Sequence, residues 1–123
     1  DTMKGMLRDR GDVTATAFIA DQTPPPDRAF WTQFLNQDTP VFYGTEKIAR
    51  KLDYPIIYVG IERQRRGHYL MRFEELVADP ARTRDGEIST AHTRRLEADI
   101  RRLPALWLWS HRRWKHRRPP TTL

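Results

Sequence analysis

The sequence predicts an α/β protein: a partial αβα layered fold, with a mixed sheet of about three to four strands and a long C-terminal amphipathic helix. Three observations carry that expectation. Two short runs, "VTATAFIA" (13–20) and "IIYVGI" (56–61), are β-branched or apolar throughout, the pattern of strands covered on both faces. The stretch "HYLMRFEEL" (68–76) instead alternates, with Tyr69, Met71 and Phe73 on one side. Finally, Leu96, Ile100, Leu103, Trp107 and Trp114 recur at i, i+4, i+7, i+11 and i+18, one narrow stripe at 100° per residue. The resulting order β, α, β, β, α is that of a layered α/β domain.

In chain order, "MKGMLRD" (3–9) predicts the end of a helix stopped by "DRGD". The run 13–20 predicts a strand ending at Asp21-Gln22, where "TPPPD" forbids further ladder bonding. "FWTQFLNQ" (30–37) sets Phe30, Trp31, Phe34 and Leu35 at helical spacing. Gly44-Thr45 opens a helix through "EKIARKL", with Thr45 as N-cap and Pro55 beyond its end. Residues 56–61 and 68–76 predict a hairpin turning at "RQRRG" (63–67). The last helix starts at Ser89 or Thr90, and Pro104 kinks or restarts it. On its stripe Trp107 and Trp114 are core anchors, whereas Trp109 falls near the arginine side, where an exposed or interfacial aromatic belongs.

The length, 123 residues, suits one domain over 1–123. With 38% hydrophobic and 31% charged residues the chain is globular rather than disordered. There is no cysteine, hence no disulfide framework and no thiolate zinc site. No apolar run approaches the ~20 residues of a membrane span, and no signal peptide is visible. The chain begins at Asp1 without an initiator Met, as an excised piece of a longer protein would. The net charge of +6 is concentrated at the C-terminus: from Arg101 onward there are Arg and Lys but no Asp or Glu, and 112–123 reads as a basic tail. Such a block implies an anionic partner, be it nucleic acid, lipid or a small phosphate, or else only a solvated tail.

Candidate chemistry is sparse. Asp21 ends a predicted strand, and open α/β sheets bind ligands beyond the carboxyl ends of their strands; the commoner role of such an acid is a cap or turn. Gly44-Thr45 offers free N–H groups at a helix start, which suit a phosphate or an ordinary cap. The histidines His68, His92, His111 and His116 form no metal-binding spacing. His92 and Glu97 have the spacing of an acyltransferase base and its carboxylate. Inside one regular helix, however, five residues turn them about 140° apart. No serine elbow is present. Arg with Trp suits phosphate-rich partners of either kind, through guanidinium pairing and through stacking or interfacial aromatics.

The order of the pieces adds a resemblance. "FIADQ", a proline-rich gap, "TPVFYGTEKIARKLDYPIIYV", the hairpin "RRGHYLMRFEEL" and the closing "LPALWLWSHRRWKHRRP" together resemble the C-terminal half of the bacterial lipid A biosynthesis acyltransferases, the lauroyl and myristoyl transferases of the lysophospholipid acyltransferase superfamily. The similarity runs from about Gly5 to Pro119, and the closing motif is its strongest part. The resemblance implies an enzyme at the cytoplasmic face of the Gram-negative inner membrane, serving lipopolysaccharide synthesis, and peripheral in this portion. It implies transfer of an acyl chain from acyl carrier protein to a hydroxyl of a lipid A precursor or related glycolipid. A His-x-x-x-x-Asp/Glu dyad acts as general base, with no metal or other cofactor. That dyad and the membrane anchor belong to the family's N-terminal half, so no catalytic residue is carried onto this chain, and alone it is expected to be inactive. Carried over are Asp21, Gln22 and Gly44 as substrate-pocket residues. Trp109, Arg112, Arg113 and Lys115 are carried over as contacts to lipid phosphate and the anionic membrane surface. A half-domain exposes strand edges and apolar faces, so self-association is expected. The alternative reading is a small basic nucleic-acid-binding module; the plainest is a globular domain with a solubilising tail.

Overall fold

The computed structural model describes residues 2–120. The chain forms α1 (Thr2–Arg8), β1 (Ala29–Phe34), β2 (Gln37–Phe42), α2 (Gly44–Leu52), β3 (Ile56–Arg65), β4 (His68–Val77) and α3 (Glu87–Arg102), with 3₁₀ turns at Pro26–Arg28, Pro80–Arg82 and Pro104–Leu106. The α/β class and the long C-terminal helix agree with the sequence. The strands number four, but they form two separate antiparallel hairpins, β1–β2 and β3–β4, rather than one mixed sheet.

The difference has two sources. Residues 13–20 form no strand, and Val13, Phe18 and Ile19 are exposed. A β-branched run specifies a strand only where another strand accepts its hydrogen bonds, and none lies alongside. The stretch 30–37, expected to be helical, is instead β1 and its turn. Leu35 and Asn36 adopt left-handed backbone, φ 50° and 64°, which closes the two-residue turn that a tight hairpin needs. Phe30 pairs with Val41 and Phe34 with Gln37 across this ladder.

α2 buries Glu46, Ala49 and Leu52, one face at three-residue spacing. It starts at Gly44 with Tyr43 in the cap position and no side-chain cap, so Thr45 does not serve as N-cap. Asp53, left-handed at φ 54°, ends it, and its carboxylate accepts the Ala81 N–H at 3.0 Å. α3 buries Ile88, Ser89, Thr93, Glu97 and Ile100. It stops at Arg102 ahead of Pro104, which cannot donate to the helix ladder, so the expected stripe continues only as a 3₁₀ turn.

The core sits where β1–β2, α3 and the C-terminal segment meet. Phe34, 1% exposed, lies edge-on to Trp107 at 5.9 Å and stacked on Trp114 at 6.0 Å between ring centres. The Trp114 indole N–H donates to Thr39 Oγ1 at 2.8 Å. Both tryptophans thus anchor the core as the sequence predicts, although they reach it without a helix. Burial of an aromatic of this size contributes about 2–3 kcal/mol. Gly86, at φ 81°, joins α3 to this core: a Cβ there would lie 2.5 Å from the Phe30 ring.

Candidate functional site

Between β3, α3 and the turn at Pro104–Leu106 lies an open cleft of about 300 Å³. Leu96, Ile100, Leu103 and Trp107 supply its apolar wall, and Asp21, Tyr58, Glu62, Asp99 and Arg102 its polar groups. The polar groups are cross-linked. Tyr58 OH donates to Asp99 Oδ2 at 2.9 Å, and Arg95 donates to Asp99 Oδ1 at 2.6 Å while its guanidinium covers the Tyr58 ring at 4.7 Å. Arg95 also reaches Glu74 at 2.6 Å, and Arg102 bridges Asp99 and Glu62. Burial pushes the Asp99 carboxyl up, but its donors Arg95, Tyr58 and Arg102 outweigh this and hold it below the usual range. Burial and the Asp99 carboxylate together push the Tyr58 hydroxyl well above its ordinary value, so it stays a donor. Gly60 makes room: a Cβ there would stand 3.2 Å from Asp99 Oδ2.

Asp21 and Gln22 also line a smaller neighbouring pocket, about 20 Å³, with Trp107, Leu108 and His111. The segment they begin is fastened to the C-terminal stretch. Thr23 N–H donates to His111 Nε2 at 3.3 Å, and Thr23 Oγ1 donates to the Arg113 carbonyl at 2.9 Å. Further along, Arg118 pairs with Asp38 at 3.2 Å and covers the Trp31 ring at 5.8 Å. Within the described residues the basic stretch is therefore docked along β1–β2 rather than free; 121–123 lie outside the described residues.

Asp21 lines both the cleft and the smaller pocket, and Gln22 lines the smaller pocket only. The structure does not bring Gly44 to either: Gly44 opens α2 elsewhere on the surface, with nothing within 4 Å of where a Cβ would stand. The basic candidates divide. Trp109 is 58% exposed, its indole N–H donating to the Pro104 carbonyl at 2.7 Å, and Arg112 and Lys115 are exposed too. Leu106 and Leu108 are exposed as well, so the closing stretch shows both apolar and cationic side chains to solvent. Arg113, expected at the surface with them, is 2% exposed. It lies over the Phe34 ring at 5.6 Å, and its Nε and Nη1 have no hydrogen-bond partner. Burial pulls its pKa down to about 10, with the Asp21 carboxylate partly offsetting the loss. In this conformation Arg113 is a core cation, not a surface one. The reason is alternation: in the irregular segment after Pro104, Arg112 and Arg113 point to opposite sides.

His92 and Glu97 are indeed turned apart. The His92 ring lies against Tyr58 at 5.9 Å, and burial lowers its pKa. The Glu97 carboxylate instead accepts the Leu35 N–H at 2.8 Å and Arg94 Nη1 at 2.6 Å. Sequence reasoning also missed Glu46. It is 1% exposed, and its carboxylate accepts the N–H groups of Gly86 at 2.7 Å and Ser89 at 2.8 Å, the free donors at the start of α3. Its only sequence signal is an acid on the apolar face of α2. Among the described residues no cluster of His, Asp or Glu could hold a metal ion. No helix among them is long and apolar enough to cross a membrane.

The family model for bacterial lipid A biosynthesis acyltransferase matches residues 1–116. The chain belongs to this acyltransferase family. The match takes in the Asp21-Gln22 segment, both hairpins, α3 and the tryptophan-rich closing stretch up to His116. No curated protein and no solved structure matches the chain. Membership makes it an acyltransferase domain of the lipid A type.

Proposed function

We propose that this acyltransferase-family chain is the C-terminal half of a membrane-associated enzyme. The enzyme moves a fatty acyl chain from acyl carrier protein to a hydroxyl of a lipid A precursor or related glycolipid, at the cytoplasmic face of the Gram-negative inner membrane. The family match over residues 1–116 carries this reading. It is supported by a cleft with one apolar wall and a polar side that includes Asp21, and by the exposed apolar and cationic side chains Leu106, Leu108, Trp109, Arg112 and Lys115 of the closing stretch. An acyl chain suits the apolar wall. The anionic headgroups of a bilayer suit the cationic face, where each Lys or Arg contributes about 1 kcal/mol and an indole sits at the interface.

On this reading the reaction is general-base acyl transfer. The base takes the proton of the acceptor hydroxyl, the oxygen attacks the thioester carbonyl, and the carrier thiolate leaves and is reprotonated. His92 and Glu97 do not form that base, because their side chains serve Tyr58 and Leu35 separately. The base then comes from the other half of the enzyme, and the chain alone transfers nothing. Asp21 lines the acceptor side of the cleft with Gln22 in the small pocket beside it, while Gly44 is left with the role of a helix start.

The gene upstream of Asp1 tests the assignment first. An apolar anchor and a His-x-x-x-x-Asp/Glu motif are expected; a gene starting near Asp1 sinks it. Co-sedimentation with phosphatidylglycerol-containing vesicles tests the basic face. Replacing Arg112 and Lys115 with Ser should weaken binding tenfold or more, at about 1 kcal/mol each. Binding to RNA that falls steeply with salt, with no affinity for vesicles, would instead favour a nucleic-acid module.

A further inference from the structure

The polar groups of the cleft are already committed to one another, and this limits what the cleft can hold. Asp99 is held by Arg95 and Arg102, and Glu62 by Arg102 and Arg72. Arg95 is shared in turn with Glu74. The Tyr58 hydroxyl is committed to Asp99 at 2.9 Å. Arg102, the one cation among the described lining residues, is bridged between two acids of the same lining. Asp21 differs. Among the described residues its carboxylate makes no hydrogen bond and no ion pair, and the buried Arg113 offsets its charge. These bonds lie within the chain itself, so they hold whatever a larger enzyme brings to the cleft mouth.

A phosphate would need an uncommitted cation, and the described lining has none. An ammonium would need carboxylate charge that no guanidinium meets, and each acid here already faces one. Bringing either charge out of water without a fresh partner is costly. What the lining leaves free is an acceptor, the Asp21 carboxylate, together with the apolar wall of Leu96, Ile100, Leu103 and Trp107. The cleft volume of about 300 Å³ equals roughly ten waters at ~30 Å³ each. That holds one sugar ring with the first methylenes of a chain, not a disaccharide with its phosphates. We infer that the cleft binds the uncharged sugar ring of a glycolipid. One ring hydroxyl donates to Asp21, the C–H face of the ring and the start of the alkyl chain lie on the apolar wall, and phosphate stays outside. That this glycolipid is an acyl acceptor rests on the acyltransferase reading; that it binds does not. On that reading the hydroxyl on Asp21 is not the attacking one, whose proton goes to the base from the other half. Asp21 is a binding group that orients the ring.

Nuclear magnetic resonance titrations of the full chain test it, with octyl glucoside, octyl phosphate and octylammonium as ligands of one chain length, each below its micelle concentration. The Gly60 amide and the Trp107 indole N–H report the cleft. Octyl glucoside should shift both saturably, with the two charged ligands binding at least about tenfold more weakly. Asp21→Ala should weaken octyl glucoside about tenfold, the worth of one hydrogen bond to a charged acceptor. Asp21 also faces the buried Arg113, so a second variant avoids that contact. Leu106→Arg, at an exposed position of the lining, adds an uncommitted cation. It should strengthen octyl phosphate about tenfold with circular dichroism unchanged. Four outcomes would each overturn the inference: a charged ligand binding as tightly as octyl glucoside, no saturable shift, glucoside shifts at Tyr69 and Phe73 on the outer hairpin face instead of the cleft, or affinities indifferent to Asp21→Ala or Leu106→Arg. Saturable glucoside binding, beside a gene that lacks the His-x-x-x-x-Asp/Glu motif, would leave the sugar site standing and sink the acyl transfer. The motif without glucoside binding would do the reverse.

Discussion

The two hairpins are built from similar residues and meet opposite fates. β1–β2 has six-residue strands, yet Phe34, Thr39, Pro40 and Val41 are buried under α3 and the tryptophans of the closing stretch. β3–β4 has ten-residue strands and more large apolar side chains, yet one whole face is bare. Hydrophobicity states what a strand would gain from cover; it does not supply the cover. The covered hairpin owes its burial to residues far away in the chain, namely Glu97 on the Leu35 N–H, Trp114 on Thr39 and Arg118 on Asp38. The open hairpin has such ties on its inner face only, through Tyr58, Glu62 and Glu74.

One residue type separates the two most sharply. Phe34→Ala should cost about 4 kcal/mol in chemical denaturation, since it empties a packed site between two indoles. Phe73→Ala, measured at dilution, should shift stability by less than about 0.5 kcal/mol. Equal losses would mean that the β3–β4 face is covered in solution even in the monomer. Next in size is Arg113, the unpaired cation above Phe34. Arg113→Met keeps the alkyl packing and removes the buried charge, so unfolding should become harder by about 2 kcal/mol. A fall in stability would reveal an anion seated on its free N–H groups.

The smallest effect concerns pH. Burial raises the Glu97 carboxyl, but the Leu35 N–H and Arg94 outweigh it, and the folded pKa lies below the ordinary 4.5; Asp99 is lowered likewise from 3.8. The unfolded chain therefore binds more protons in this range. Their contribution is full above pH ~4.5 and is lost as pH falls through the folded values. His92, lowered by burial from 6.5, adds an earlier loss that starts as pH drops below about 6.5. Glu97→Gln should cost about 1 kcal/mol at pH 7 and flatten the acid limb of a stability profile. An unchanged limb would show that the β1–β2 turn is not held by this carboxylate.

Much of the fold is legible in the sequence where the signal is local. α2, α3 and the β3–β4 hairpin declare themselves through periodicity, and Trp107 and Trp114 through their place on an apolar stripe. β1 was hidden because Phe30, Trp31, Phe34 and Leu35 fit a helical spacing as well as a strand, and only the Leu35-Asn36 turn breaks the tie. The run 13–20 shows the opposite failure: its composition is that of a buried strand, but a ladder needs a partner that composition does not report. Asp21, singled out by the family's block and the end of an apolar run, lines the cleft, and Gln22 lines the smaller pocket beside it. Glu46, Asp99 and Tyr58 are not singled out, because their partners lie about 40 residues away and leave no spacing to read. The inward turn of Arg113 follows from the helix ending at Arg102, a boundary the tryptophan stripe conceals.

The bond from the Ala81 N–H to the Asp53 carboxylate, 3.0 Å long, has a consequence for modularity. The hairpin leaves and re-enters the body of the domain at this junction, and its inner face is tied to α3 through Tyr58, Glu62 and Glu74. Everything between the two residues is an excursion whose ends are already pinned together. Its length and outer surface can change without altering the path of α2 or α3. The outer face of the segment is thus an exchangeable surface, and a graft between Asp53 and Ala81 that keeps Tyr58, Gly60 and Glu62 would give it a new outer face while the cleft keeps its polar groups.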